Sequence, residues 1–185
     1  MKAIDTIYNG YRFRSRLEAR WAVFLDNLEI PYQYEPEGYD LGAAGLYLPD
    51  FRLPSLDAWM EIKAQSPTDE EVRKAAALAE LTNQRVFIFH GDIQIPNDDC
   101  DSAPKAEMLD GIDGGDTNHM WCECLKCGAV GIQFDGRSDR LPCKKVTCMD
   151  SISYHGDKGY CYNGPRLVRA FTAARMARFE HGEQG

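Results

Sequence analysis

Asp50, Glu61 and Lys63 are the residues of this chain best placed by type and spacing to do chemistry. Asp50 follows a proline in Tyr47-Leu48-Pro49-Asp50-Phe51, and Glu61 and Lys63 stand two apart in Trp59-Met60-Glu61-Ile62-Lys63. Residues two apart on a strand project from the same sheet face, so Glu61 and Lys63 share a face while Ile62 is left to a core on the other. A short turn between adjacent strands would carry Asp50 to Glu61. Two carboxylates at close range repel each other, and a divalent cation resolves that conflict. Hard oxygen donors in this number favour Mg²⁺ or Mn²⁺. A lysine beside them can hold a phosphate oxygen or assist an attacking water. The chemistry this suits is metal-assisted phosphodiester hydrolysis.

A second constellation is built from cysteine. Cys124-Leu125-Lys126-Cys127-Gly128 looks like the first knuckle of a zinc ribbon, its glycine allowing the tight turn that wraps backbone amides around thiolate sulfur. Cys143 and Cys148 would complete a Cys₄ tetrahedral site. Their spacing is wider than a usual knuckle, which leaves Cys122 or His119 as substitutes for one ligand. Closed Cys₄ sites are structural, so a zinc here is expected to serve folding and not catalysis. Basic residues around it, Lys126, Arg137, Arg140, Lys144 and Lys145, either lie along a nucleic acid or simply solubilise a small unit.

The elements that must position these groups are readable in part. Tyr8-Asn9-Gly10-Tyr11 signals a hairpin. Ser15 is a good cap for a helix whose Leu17, Trp21, Phe24, Leu25 and Leu28 build one apolar face, ended by Pro31. Strands are predicted at 32–35, 46–53 and 58–64, a helix at 68–81 capped by Thr68, and a strand at 85–90. That order gives an α/β domain with a mixed sheet flanked by helices over 1–92. Residues 93–118 are rich in Asp, Asn, Gly and Pro and read as an acidic linker or mobile loop. The cysteine unit occupies 119–150. A C-terminal segment, 151–185, carries a basic helix at about 165–179 with Pro165 in its first turn. That helix either binds a DNA backbone or packs on the core through Leu167, Phe171 and Ala174.

Composition bounds the function. The chain has 185 residues and a formal net charge of −8, which argues against a protein that coats nucleic acid through bulk charge. No apolar run is long enough to span a bilayer, and the first residues lack the apolar core of a signal peptide. The expectation is a cytoplasmic protein without a membrane partner, whose seven cysteines stay reduced and bind metal sooner than form disulfides.

Pro49-Asp50 followed by Glu61-x-Lys63 resembles the signature of the PD-(D/E)XK nuclease superfamily. The surrounding stretches agree in order. Phe13-Arg14-Ser15-Arg16-Leu17-Glu18-Ala19-Arg20-Trp21 resembles the first helix of that fold, and Ile30-Pro31-Tyr32-Gln33-Tyr34-Glu35-Pro36 with the Pro49 segment is similar to phage endonucleases, phage Holliday-junction resolvases and nucleases that cut transposon ends. The resemblance covers about the first half of the chain. It implies a restriction-endonuclease-like fold with an appended zinc ribbon and an Mg²⁺- or Mn²⁺-dependent endonuclease acting on DNA, with branched DNA as a substrate and hence a homodimer. It further implies a phage-encoded protein working in the host cytoplasm. Glu18, Asp50 and Glu61 would be the metal-side carboxylates, the Ile62 carbonyl a further ligand and Lys63 the catalytic lysine, with Gln65, Arg14 and Arg16 as substrate contacts. Glu18 also stands three residues after Ser15, as in a capping box. The competing reading is a non-cleaving module that binds DNA or protein on the same fold.

Overall fold

A computed structural model describes residues 5–110, 116–136, 141, 143 and 161–179. The chain enters through a hairpin of β1 (Thr6–Tyr8) and β2 (Tyr11–Phe13), turned by Asn9 and Gly10, both at positive φ as a two-residue hairpin turn of this hand requires. Helix α1 (Arg16–Asn27) follows. Ser15 caps it, and the helix stops before Pro31 is reached. Glu29 takes a left-handed conformation, its N–H bonds back to the Asp26 carbonyl and the Ile30 N–H to the Leu25 carbonyl. This is the six-to-one closure usually built on glycine.

Strand β3 (Gln33–Tyr34) then begins the main sheet. The predicted strand at 46–53 is instead two. β4 (Tyr39–Asp40) and β5 (Leu46–Tyr47) pair only with each other, and β6 (Phe51–Leu53) pairs with β3 and with β7 (Ala58–Lys63). The break falls at Pro49, which has no N–H to give a ladder. Helix α2 (Asp69–Thr82) crosses back to β8 (Arg85–His90), which lies parallel to β7. A capping box starts α2: the Thr68 hydroxyl accepts from the Glu71 N–H, and the Glu71 carboxylate accepts from the Thr68 N–H at 2.8 Å.

Beyond residue 92 the described strands stay within the same fold. β9 (Lys105–Leu109), β10 (Asp116–Glu123) and β11 (Val130–Phe134) extend the same sheet, whose strand order is β11-β10-β9-β8-β7-β6-β3. The expected acidic linker over 93–118 therefore contains an internal strand, and the first part of the cysteine unit is the far side of the same sheet. Residues 97–102 are also held: the Tyr162 hydroxyl donates to the Asp98 carbonyl and the Asn163 amide to the Asn97 carbonyl. Cys148, Arg137, Arg140, Lys144 and Lys145, expected in the cysteine unit, lie outside the described residues.

The sheet divides two cores. One face carries Phe51, Met60, Ile62, Phe87, Phe89 and Trp121 against α1 and α3 (Pro165–Met176). The other carries Trp59, Val86 and Ile88 against Ala75, Leu78 and Ala79 of α2, with Tyr39, Leu41 and Tyr47 of the β4–β5 hairpin alongside. The docking side of the last helix is thus settled by Leu167, Ala170, Phe171 and Ala174, all buried, with the Phe171 ring against Trp21 and Phe24. Among the described residues, no helix is long and apolar enough to cross a membrane.

Helix α3 is tied to the cysteine-bearing strand by one buried charge. The Glu123 carboxylate accepts from the Leu167 N–H at 3.0 Å, where the helix dipole favours an anion. Gly164 is needed there because an added Cβ would fall 2.3 Å from the Glu123 Cδ. Gly164→Ala is expected to cost about 2 kcal/mol in chemical denaturation, and much less in a Glu123→Ala background that removes the clashing atoms. Equal costs in both backgrounds would show that the glycine is required for another reason.

Candidate active site

The two sheet-borne carboxylates meet where the β6–β7 ladder ends. The last backbone pair is Phe51 with Met60. One step further, side chains take over. The Asp50 N–H donates to Glu61 Oε1 at 3.0 Å, and the Ile62 N–H donates to Asp50 Oδ2 at 2.8 Å. Each carboxylate is thereby fixed by the other strand's backbone. Both are withdrawn from water, Asp50 at 5% exposure and Glu61 at 0%. The N–H and C=O of one strand residue point to the same side, so the Ile62 carbonyl is directed toward the Asp50 side as well.

Lys63 is the cation of this pair. Its Nζ lies 3.0 Å from Glu61 Oε2 and 3.9 Å from Asp50 Oδ2. Burial works against its charge, but Glu61 and Asp50 outweigh burial and hold the ammonium above its usual pKa. Lys63 is therefore a proton-bearing group at neutral pH, suited to donating to an anionic oxygen. Its carbonyl accepts from the Gly91 N–H at 2.9 Å, which anchors the end of β7 on the loop after β8.

One lysine does not balance the site. Asp50 titrates well above the ordinary carboxylate range, through burial first and the Glu61 charge second, with Lys63 and the Ile62 N–H opposing and Glu18 adding to the rise. Glu18 thus faces Asp50 electrostatically, and its N–H is capped by the Ser15 hydroxyl. Its carboxylate accepts from the Ser15 hydroxyl at 2.6 Å, from the Arg14 N–H at 3.1 Å and from the Tyr34 hydroxyl at 2.5 Å. Only half of the expected capping box forms, since the Glu18 carboxylate takes the Arg14 N–H in place of the Ser15 N–H.

Of the substrate-contact candidates, Arg14 is at the site: its guanidinium pairs with Glu35 and reaches to 3.7 Å from Asp50 Oδ1. Arg16 is exposed on the first turn of α1. Gln65 is exposed in a bend past the end of β7, so the strand alternation that would place it with Lys63 has already lapsed. Sequence reasoning missed Glu35 and Tyr47. Glu35 has a left-handed backbone, and its N–H donates to the Asp50 carbonyl at 2.8 Å. Tyr47 comes in from the hairpin. Burial, and then the Glu61 charge, push its phenol far above the usual range, so it stays protonated.

The cysteines form a separate centre. The Cys124, Cys127 and Cys143 sulfurs lie within 4.8 Å of one another, close enough to hold a metal ion. The knuckle turn is closed by the Gly128 N–H on the Cys124 carbonyl at 2.7 Å, with Gly128 at φ +72°. Burial would raise the Cys124 thiol, but the amides of Cys127 and Lys126 with the neighbouring thiols bring it down to about 7. Cys122 is buried in the same apolar cluster but is not one of the close sulfurs. His119 is not either; its ring packs between Phe87 and Phe134.

The buried charge at Asp50 has a measurable consequence. The folded state holds the Asp50 proton more tightly than the unfolded chain, so stability falls as pH rises from the ordinary carboxylate range through the raised value. Asp50→Asn cannot ionise and is expected to be more stable than the wild type by about 1–3 kcal/mol near pH 8. The gap should close as pH is lowered toward about 4. Thermal denaturation across that range reads it, and a gap independent of pH would rule out charge burial as its cause.

No protein-family model, no curated protein and no solved structure matches this chain.

Proposed function

We propose that the protein is a divalent-metal-dependent endonuclease acting on DNA, with Asp50 and Glu61 as its cation-binding carboxylates and Lys63 as its catalytic lysine. The observation that carries this reading is the mutual backbone anchoring of two buried carboxylates with a single ammonium 3.0 Å from one of them. Two such charges withdrawn from water cost several kcal/mol each unless compensated. The surplus negative charge and the all-oxygen donors fit a hard cation. The order α1, β3, β6, β7, α2, β8, with β6–β7 antiparallel and β7–β8 parallel, supports a restriction-endonuclease-like core.

In this reading Asp50, Glu61 and the Ile62 carbonyl hold Mg²⁺ or Mn²⁺, with Glu18 behind them. The cation would supply charge neutralisation at the scissile phosphate and a more acidic water. Lys63 donates to a phosphate oxygen as negative charge grows there, and Arg14, released from Glu35, can meet the neighbouring phosphate. A phosphodiester resists uncatalysed hydrolysis so strongly that the site must lower the barrier by on the order of 20 kcal/mol. A homodimer acting on branched DNA, in a phage-infected cytoplasm, is the setting this reading favours.

The cysteine centre is proposed to hold structural zinc, with Cys148 as the fourth ligand. About one zinc per chain is expected by elemental analysis, and Cys124→Ser should lose it together with several degrees of Tm. Zinc retained in full by that variant would reject the assignment.

Cleavage is tested on a labelled four-way junction, a matched duplex and single strands, with Mg²⁺, Mn²⁺ or EDTA. Metal-dependent cutting is expected in the wild type, with Asp50→Ala and Lys63→Ala each reduced at least about a thousandfold. Absence of cutting by folded, zinc-loaded wild type on every substrate would favour a binding module instead.

A further inference from the structure

Tyr47 reaches the carboxylates from outside the elements that carry them. It sits on β5, opposite Tyr39 of β4. That hairpin lies on the α2 side of the sheet, where the Tyr39 ring meets Trp59 edge-on at 5.6 Å and Leu41 and Val72 pack against the same buried cluster. Along β5 the alternation is plain: Leu46 is 78% exposed and Leu48 is 39% exposed, while the Tyr47 hydroxyl between them is wholly buried. Its polar neighbours are Glu61 first, then Asp50 and Glu71. It nevertheless makes no hydrogen bond of ordinary distance and angle. A buried hydroxyl left in that state is costly, and folds keep such groups where something other than packing requires them.

Glu61 shows why a donor is useful there. Its Oε1 is held by the Asp50 N–H and its Oε2 by Lys63. Lys63 is also the group that the proposed reaction draws toward the phosphate. When Lys63 turns to a phosphate oxygen, Oε2 loses its partner while the backbone bond to Oε1 persists. A rigid phenol beside that carboxylate can take over the restraint without adding a charge.

We propose that Tyr47 is a positioning residue for this site, its hydroxyl donating to the Glu61 carboxylate and fixing that carboxylate's orientation toward a divalent cation. The assignment rests on the reading of Asp50 and Glu61 as a cation site. Groups that orient a metal ligand from behind commonly change metal affinity when removed, even though they never touch the ion. The hairpin is thereby part of the site, and not merely a loop between β3 and β6.

The test is titration calorimetry with Mn²⁺ as the probe, using the whole chain, alongside Tm. Tyr47→Phe removes the hydroxyl and leaves the ring. Tyr39→Phe is the control, since its hydroxyl is on the same hairpin but bonds to Glu37 at 2.6 Å. The expected result is Mn²⁺ affinity about tenfold weaker in Tyr47→Phe, with Tm held and Tyr39→Phe unchanged. Unaltered affinity in Tyr47→Phe overturns the assignment. So does a loss of affinity that follows a loss of Tm and appears equally in Tyr39→Phe, because both then reflect hairpin packing. Wild type that binds no Mn²⁺, with Asp50→Asn behaving identically, rejects the cation site itself and Tyr47's role with it.

Discussion

Most of this molecule is organised around keeping two carboxylates side by side out of water. Asp50 and Glu61 do so by borrowing each other's backbone: the N–H of Asp50 goes to Glu61, and the N–H after Glu61 goes to Asp50. The β6–β7 ladder thus gains a further rung made from side chains. Such a rung is reciprocal, each carboxyl group accepting from the backbone of the strand that carries the other. It is also electrostatically incomplete, since among the described residues Lys63 alone faces both acids. The surroundings are arranged about that shortage. Arg14 lies at the rim between Glu35 and Asp50, and the Tyr34 and Ser15 hydroxyls occupy Glu18.

The local devices of this fold are written in short motifs, and those were legible. Asn9-Gly10 dictates its turn, Ser15 and Thr68 with a glutamate three residues on dictate two helix starts, and Glu61-x-Lys63 dictates a shared face. The central triad followed from these. What escaped notice depends on distant partners. The 46–53 stretch alternates like a single strand, yet Pro49 splits it between two sheets. Lys105-Ala106-Glu107-Met108 alternates too, but its acidic surroundings mask a strand whose burial is supplied by β8 and β10. Glu35 and Tyr47 carry no local signal at all, because their role comes from where the chain returns to Asp50 and Glu61.

The cysteine centre and the carboxylate centre are joined through the sheet rather than through a linker. Trp121 and Ile132 belong to the same core as Phe51 and Met60, so the strands that lead to Cys124 share one sheet and one core with the strands that lead to Asp50. Arg166 adds a strut, donating to the Gly128 carbonyl at the knuckle and to the Leu28 carbonyl at the end of α1. A metal held by the thiols would brace the far side of the sheet, and with it the register of β8 against β7.

The pairing of α1 with α3 has a consequence for biosynthesis. Trp21 and Phe24 emerge early in translation, while Phe171, which covers them, emerges about 150 residues later in the chain. A nascent chain already carrying Asp50, Glu61 and Lys63 still has the aromatic face of its first helix open. Contacts so distant in sequence form late, because loop closure precedes any gain from them. The aromatic face of α1 is therefore covered only once the segment that carries Phe171 has left the ribosome.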